Sequence, residues 1–145
     1  MALFWIKKSK SFTLIELLVV ISIIALLAAI VLVFLSGARN RTKDARIIAD
    51  MGQIRSSAEI FLRNTGSYTN LCSSTDVTTL QSDITTQSGT NFNCQIQTAA
   101  PAGSSYCVEV QLNSTKWWCV DSALRSKQYD SAPVCDVGQG TKVCE

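Results

Sequence analysis

The sequence contains no histidine and no closely spaced pair of cysteines. Histidine is a common general base and metal ligand, and the chain lacks it. The sequence also contains neither a glycine-rich phosphate loop nor a nucleophile elbow. Without a C-x-x-C pair, a zinc knuckle is also excluded. We therefore expect a protein that is not an enzyme and that holds no cofactor.

Charge is nearly absent from residues 12–35, which contain a single ionisable side chain, Glu16, and neither glycine nor proline. A helix of these 24 residues spans about 36 Å, which exceeds the roughly 30 Å hydrocarbon core of a bilayer. A cleaved secretory signal is the competing interpretation, but the run is longer than the usual h-region of about 7–15 residues, and a helical pattern of apolar residues continues beyond it. We expect a membrane-spanning helix.

The net charge is +2, and three lysines lie within the first eleven residues, so the rest of the chain is close to neutral. A near-neutral body does not favour nonspecific binding to nucleic acid, which depends on clustered basic residues. One basic cluster follows the apolar run, and we interpret it as a solvated or headgroup-facing helix surface. Its members are Arg39, Arg41, Lys43 and Arg46.

Beyond the apolar run, hydrophobic residues recur with a helical period, which predicts that one helix continues out of the membrane. The stripe consists of Ile47, Met51, Ile54, Ala58, Phe61 and Leu62. We expect this stripe to pack on a sheet rather than to line a ligand groove. The helix should end at Asn64 or Thr65, because Gly66 is placed to take the left-handed conformation that follows many helices.

The clearest strand signal lies in residues 106–121, where apolar and polar residues alternate on both sides of a turn at residues 113–115. This pattern predicts a β-hairpin. Pairing positions that sum to 226 places Cys107 opposite Cys119, and only even sums keep the apolar side chains on one face. The preceding residues 66–105 are a polar connection to which the sequence assigns no structure.

All six cysteines lie in the polar part of the chain, and their even number indicates disulfides and an oxidising compartment. We predict three pairs. They are Cys72–Cys94, Cys107–Cys119 and Cys135–Cys144. The second pair follows from the hairpin register, and the third would hold the C-terminal tail from residue 132 to residue 145.

The segment Lys10-Ser-Phe-Thr-Leu-Ile-Glu16, followed by the apolar run, closely resembles the type IV prepilin N-terminus that pilins share with type II secretion pseudopilins. The resemblance covers roughly residues 7–66, including the Gly66-Ser-Tyr68 segment, and the head matches in layout alone. It implies an α+β, ladle-shaped fold in which a long N-terminal helix, half transmembrane and half amphipathic, packs on a small disulfide-stapled antiparallel sheet.

The resemblance also divides the chain. Residues 1–11 would be the prepilin leader, 12–35 the transmembrane and filament-core helix, 36–65 its amphipathic continuation and 66–145 the globular head. Within the head we expect a loop region, then the hairpin, and then a C-terminal disulfide-bounded region over residues 122–145.

The resemblance implies that a membrane-embedded prepilin peptidase cuts between Ser11 and Phe12 and methylates the new amino group of Phe12. Ser11 stands where the family usually has glycine. In the assembled filament, Glu16 would pair with the Phe12 amine of a neighbouring subunit. The alternative interpretation of Glu16 is local, because Thr13-Leu-Ile-Glu16 fits the capping box S/T-x-x-E.

The implied function is that of a structural subunit of a homo-oligomeric, type IV pilus-like filament. The subunit would sit in the cytoplasmic membrane as a single-pass protein with an extracytoplasmic head. An inner-membrane platform with a cytoplasmic ATPase would then extract it from the lipid into the extracellular filament. Before assembly the lipid bilayer itself is a partner.

Two alternatives stay open. The first is a type II secretion pseudopilin, a class that often uses calcium to hold the C-terminal region, for which Asp121, Asp130 and Asp136 are the candidate ligands. The second is a membrane-anchored or filament-borne module that binds DNA or a surface through Trp117 and Trp118 with the basic cluster. Adjacent residues of a strand point to opposite faces of the sheet, so we expect one of these two tryptophans to lie in the core. Stacking on bases requires more than one exposed aromatic side chain beside basic residues.

Overall fold

The computed structural model describes residues 12–98 and 101–132 together with Cys135 and Cys144. The described part is an α+β structure, as predicted. Its elements are α1 (Leu14–Thr65), a 3-10 turn (Leu71–Ser73), α2 (Thr75–Thr86), β1 (Thr90–Ile96), β2 (Tyr106–Gln111), β3 (Trp117–Asp121) and β4 (Ser126–Tyr129). The chain divides between Ala38 and Arg39 into two compact units.

The first unit contains the apolar part of α1. Every described side chain from Phe12 to Ala38 is exposed. Among the described residues, α1 is the one helix that is long and apolar enough to cross a membrane, with a mean hydropathy of 3.4 in its most apolar window and none of that window buried. Length and composition thus agree with the predicted span.

The second unit begins with the amphipathic part of α1, which buries the predicted stripe. Its first four members are fully buried and the last two are partly buried against the same core. The helix ends at Thr65, one of the two predicted positions. Gly66 follows with φ +79°, and its backbone nitrogen donates to the carbonyl of Leu62 at 2.7 Å. A residue without a Cβ takes this left-handed conformation at no steric cost.

The sheet is antiparallel throughout, in the order β1-β2-β3-β4. One face carries Tyr106, Val108, Val110 and Val120, all fully buried, and Trp118 packs against them. This face and the buried stripe of α1 belong to a single hydrophobic cluster. The prediction that the stripe contacts a sheet is therefore confirmed.

The predicted hairpin between β2 and β3 is present, but its predicted register is wrong by two positions. Paired residues sum to 228, so that Cys107 lies opposite Asp121 and Cys119 lies opposite Glu109. The reason is the turn. The Leu112 nitrogen donates to the Lys116 carbonyl at 2.7 Å, which closes a three-residue loop whose last residue has a positive φ. The sum remains even, so the two faces are as predicted.

Residues 66–105, for which we expected a loop region, contain α2 and β1, and that expectation is wrong. Ser74 caps α2 by accepting a hydrogen bond from the Val77 nitrogen, and Val77 and Ile84 are buried. The helix was not apparent from the sequence because threonine and serine, which have low helix propensity, supply half of its residues. A register shift between Thr90 and Asn93 similarly interrupts the alternation of β1.

Candidate functional site

The N-terminus of α1 is closed by a reciprocal pair, Thr13 and Glu16. A carboxylate oxygen of Glu16 accepts hydrogen bonds from the Thr13 backbone nitrogen at 2.9 Å and from its hydroxyl at 2.7 Å. The Thr13 hydroxyl in turn accepts from the Glu16 nitrogen at 3.3 Å. These contacts are the capping box that we derived as the local interpretation of Glu16. Within one copy of the chain, the only acid of the apolar run therefore has partners.

Phe12 directly precedes this cap and is 81% exposed. Ser11, on the other side of the predicted cleavage point, lies outside the described residues, as does the rest of the leader. Phe12 thus lies four residues before the capped Glu16 in the sequence.

The apolar run presents an extensive exposed surface. Every large apolar side chain between Phe12 and Leu35 is between 41% and 81% exposed. Soluble monomers rarely expose contiguous apolar patches larger than a few hundred Å², whereas this run extends about 36 Å along a helix. Such a surface needs lipid, or other copies of the same helix, to cover it.

The basic cluster splits into engaged and exposed members. Arg46 donates to a carboxylate oxygen of Asp83 on α2 from Nη2 at 2.7 Å and from Nε at 3.1 Å, and its Nε lies 3.4 Å from Asp50. Lys43 Nζ donates to the Ser88 hydroxyl at 3.1 Å. Arg39 and Arg41 are exposed.

Two buried acids of α1 were not singled out from the sequence. Asp44 is nearly buried and accepts three hydrogen bonds from the turn between β2 and β3. Asp50 is fully buried, and burial raises its pKa, with the neighbouring Asp83 adding to the effect and Arg46 opposing it. For Asp83, the hydrogen bond from Arg46 holds the pKa below its ordinary value. In the sequence, both acids lie at helical spacing from the apolar stripe, and this spacing could have indicated that they are buried.

The disulfides confirm one predicted pair and correct two. Cys72 is bonded to Cys94, as predicted. The pairs Cys107–Cys119 and Cys135–Cys144 are wrong, because Cys107 is bonded to Cys135 and Cys119 to Cys144. The register explains the difference. Cys107 and Cys119 are diagonal rather than opposite, and each is bonded to the tail. Their sulfurs still lie 3.4 Å apart, so the two bridges pack together.

The three calcium candidates have different surroundings. Asp121 is fully buried and accepts hydrogen bonds from the Cys144 nitrogen at 2.8 Å and the Arg125 nitrogen at 2.9 Å. Asp130 is 91% exposed and pairs with Lys116 at 3.3 Å. Asp136 lies outside the described residues. The role visible for Asp121 is to hold the second tail cysteine against the sheet.

In the described part of the chain, one group of at least three potential metal-ligating side chains is found. It comprises Cys107, Cys119 and Cys144. All three sulfurs are bonded in disulfides, and a disulfide sulfur does not supply the thiolate that metals prefer.

The tryptophan pair does not form a stacking platform. Trp118 packs against the hydrophobic core from the inner face of the sheet, whereas Trp117 projects from the other face of β3 and is half-buried. The basic neighbour, Lys116, is paired with Asp130. One half-buried aromatic beside a paired lysine is a poor surface for stacking on bases.

Comparisons with known proteins agree with this arrangement. Residues 6–32 match the family model described as the prokaryotic N-terminal methylation motif. Over 137 residues the chain is 29% identical to the type IV wide pilus major component PilA4 of Thermus thermophilus, a match that covers 88% of this chain and 99% of that protein. No solved structure matches.

A methylation motif, an exposed apolar helix and a disulfide-stapled antiparallel sheet define a pilin-like class of protein. The motif match and the similarity to PilA4 over most of the chain support the assignment of this chain to the type IV pilin-like family. Similarity to a structural pilus component also favours a role without enzymatic activity.

Proposed function

We propose that this chain is a structural subunit of a type IV pilus-like filament. The observation that carries the proposal is the exposed apolar run. Most of this run lies within the match to the methylation motif, and within α1 it is continuous with a helical segment that packs on a disulfide-stapled sheet. A surface of this kind serves two states in turn. It dissolves in lipid before assembly and packs against copies of itself afterwards.

The energetics favour such an exchange. Taking apolar surface from lipid into water costs about 25 cal/mol per Å², so a free subunit does not leave the membrane unaided. Packing the same surface against neighbouring runs keeps it out of water. The filament can therefore hold the subunit once an external energy source has moved it. An inner-membrane platform with a cytoplasmic ATPase is the partner that this step requires.

Processing precedes assembly in this proposal. A prepilin peptidase cuts between Ser11 and Phe12 and methylates the Phe12 amine, after which the leader no longer holds the N-terminus at the cytoplasmic surface. The match of residues 6–32 to the methylation motif supports this step. The subunit begins as a single-pass protein of the cytoplasmic membrane with its head outside, and it ends in an extracellular filament.

Glu16 has a second role in the proposal, beyond its cap. An unpaired carboxylate in a lipid-embedded helix costs about 2.5–3.5 kcal/mol near the centre of the bilayer, and less near the interface. Cleavage creates a cationic Phe12 amine, and a neighbouring subunit brings such an amine near Glu16. A misplaced subunit leaves both charges without this partner. The resulting penalty, more than the net strength of the pair, selects the correct register.

The comparisons do not favour the pseudopilin alternative, since the curated relative is a major pilus component. The surroundings of Asp121 agree, because its carboxylate is already used by two backbone amides. Two disulfides hold the described part of the C-terminal region to the sheet.

Deletion of the gene, with complementation, tests the proposal. We expect electron microscopy to show surface filaments in the parent and complemented strains and none in the deletion strain, as for a major subunit. Immunogold labelling of the head should decorate the filaments along their length. Unchanged filaments in the deletion strain, with no label on the parent filaments, would contradict the proposal.

A further inference from the structure

The basic cluster of α1 retains most of its positive charge. Arg46 is neutralised by Asp83, as described above. Lys43 donates to the hydroxyl of Ser88, a neutral partner, so its charge is not compensated by that contact. Arg39 and Arg41 are exposed, and no ion pair seen within the described residues involves either of them.

The acids of the same segment are turned inward. Between Gly37 and Asp50 the only acidic residues are Asp44 and Asp50. Asp44 directs one oxygen to Asn113 and the other to the Ser114 nitrogen, while Asp50 is fully buried beside Arg46. This part of the helix therefore hides its negative charges and shows positive ones. A merely solvated helix face gives no reason for such sorting, because acids and bases there are equally well hydrated.

The position of these charges follows from the length of the apolar run. Arg39 comes four residues after Leu35, or roughly 23 Å from the middle of the run at about 1.5 Å per residue. The headgroup region of a bilayer ends about 20–22 Å from its centre. Long basic side chains reach back over several ångströms to place their charges among headgroups. When the run spans a membrane, these residues therefore lie at its extracytoplasmic surface.

We propose that Arg39, Arg41 and Lys43, which we call the basic collar, bind the phosphates of anionic phospholipids at that surface. The inference rests on the proposed membrane-spanning state of the subunit. The two arginines supply planar forks that fit phosphate oxygens, and the lysine supplies a point charge. The collar holds the head against the membrane while the subunit waits for assembly, and extraction into the filament breaks these contacts.

Association of spin-labelled lipids with the full-length chain tests the collar. The chain is reconstituted in phosphatidylcholine bilayers, and electron spin resonance measures the association constants of labelled phosphatidylglycerol and labelled phosphatidylcholine. We expect the wild-type chain to prefer phosphatidylglycerol. A basic residue at such a surface is worth up to about a fivefold preference. Arg39→Gln with Arg41→Gln should lower the ratio of the two constants by about twofold or more, and added salt should lower it similarly in the wild type.

The matched control is Arg55→Gln with Arg63→Gln, which removes the same charge from the same helix further from the run. The leader lysines contribute equally to all three chains. A collar variant with the wild-type ratio, or a control variant with an equal loss, would overturn the inference. Protease protection of the same samples separates the two proposals. A chain that does not insert contradicts the membrane-spanning state as well, whereas an inserted, filament-forming chain without a collar-dependent preference contradicts the collar alone.

Discussion

The Asp44 carboxylate on α1 accepts hydrogen bonds from both the backbone amide and the side-chain amide of Asn113, in the turn between β2 and β3. One carboxylate oxygen lies 2.7 Å from the Asn113 backbone nitrogen and 3.0 Å from its side-chain nitrogen. The other lies 3.1 Å from the Ser114 nitrogen. The turn is thus fixed to the helix by a charged acceptor, and it is the turn that sets the register of the hairpin.

We expect Asp44→Ala to destabilise the head by about 2–3 kcal/mol, because hydrogen bonds to a charged group contribute about 1.5–3 kcal/mol and partly buried amides lose their acceptor. Asp44→Asn should cost less, since it keeps one acceptor oxygen. The measurement is urea unfolding of the full chain in detergent, followed by tryptophan fluorescence. Asp130→Ala, at an exposed position, is the control and should change stability by less than about 0.5 kcal/mol. Equal effects at both positions would refute this role of Asp44.

The Asp50 and Asp83 carboxylates should give opposite pH dependences of stability. Burial raises the native pKa of Asp50 above the unfolded value of about 3.9. Its ionisation penalty is therefore present above the native pKa and is relieved as the pH falls through that value. We expect Asp50→Asn to raise the free energy of unfolding at neutral pH, with a gain that shrinks in acid.

Asp83 provides the contrast. The hydrogen bond from Arg46 lowers its native pKa, so its contribution is present above the unfolded pKa of about 3.9 and is lost as the pH falls through the native value. Asp83→Asn should lower the free energy of unfolding at neutral pH, and the loss should disappear in acid. Unfolding curves at a series of pH values decide both cases. Parallel curves for the two variants would show that the pair does not titrate as described.

The long helix was predictable because its signals are local. A period near 3.6 and one glycine were enough to locate the buried stripe and to place the end of the helix at Asn64 or Thr65. The parity of the hairpin was predictable for the same reason, since the side-chain period of a strand is two. The exact register depended on a left-handed φ at Thr115, a residue type that rarely adopts it.

The connections within the head were harder to predict because tertiary contacts decide them. The sequence of α2 contains Val77, Leu80 and Ile84 at helical spacing. Its threonine side chains, however, can form hydrogen bonds with nearby backbone groups, which weakens the helical signal. The role of Glu16 as a cap could be derived from four consecutive residues. Asp44, by contrast, binds residues about seventy positions away in the sequence, and no local pattern predicts such a contact.

Peptide mapping without reduction should find the disulfides Cys72–Cys94, Cys107–Cys135 and Cys119–Cys144 in the native subunit. In the chain-entropy model, a bridge between Cys107 and Cys135, which are 28 positions apart, is worth about 3.5 kcal/mol. Cys107→Ser with Cys135→Ser should lower the free energy of unfolding by roughly that amount. A peptide that joins Cys107 to Cys119 in the native subunit would contradict the register of the outer face.

Glu16→Gln separates the cap from the proposed contact between subunits. Glutamine keeps an acceptor for the Thr13 amide but removes the charge, so the variant should insert and be processed normally yet incorporate poorly into filaments. Thr13→Ala weakens the cap alone and should have little effect on incorporation. Immunoblots that compare sheared filaments with the membrane pool give the ratio. A normal filament yield from Glu16→Gln would leave the cap as the whole explanation of this residue.

The most direct test of the proposed filament subunit is its intact mass in sheared filaments, with sequencing of its N-terminal peptide. We predict a chain that begins at Phe12, carries one added methyl group on its amino nitrogen, and has lost six hydrogens to three disulfides. That result would show that one and the same chain is cleaved and methylated, is assembled into the filament, and carries three disulfides in its head. Filaments whose subunit begins at Met1, or filaments that lack this chain altogether, would contradict it.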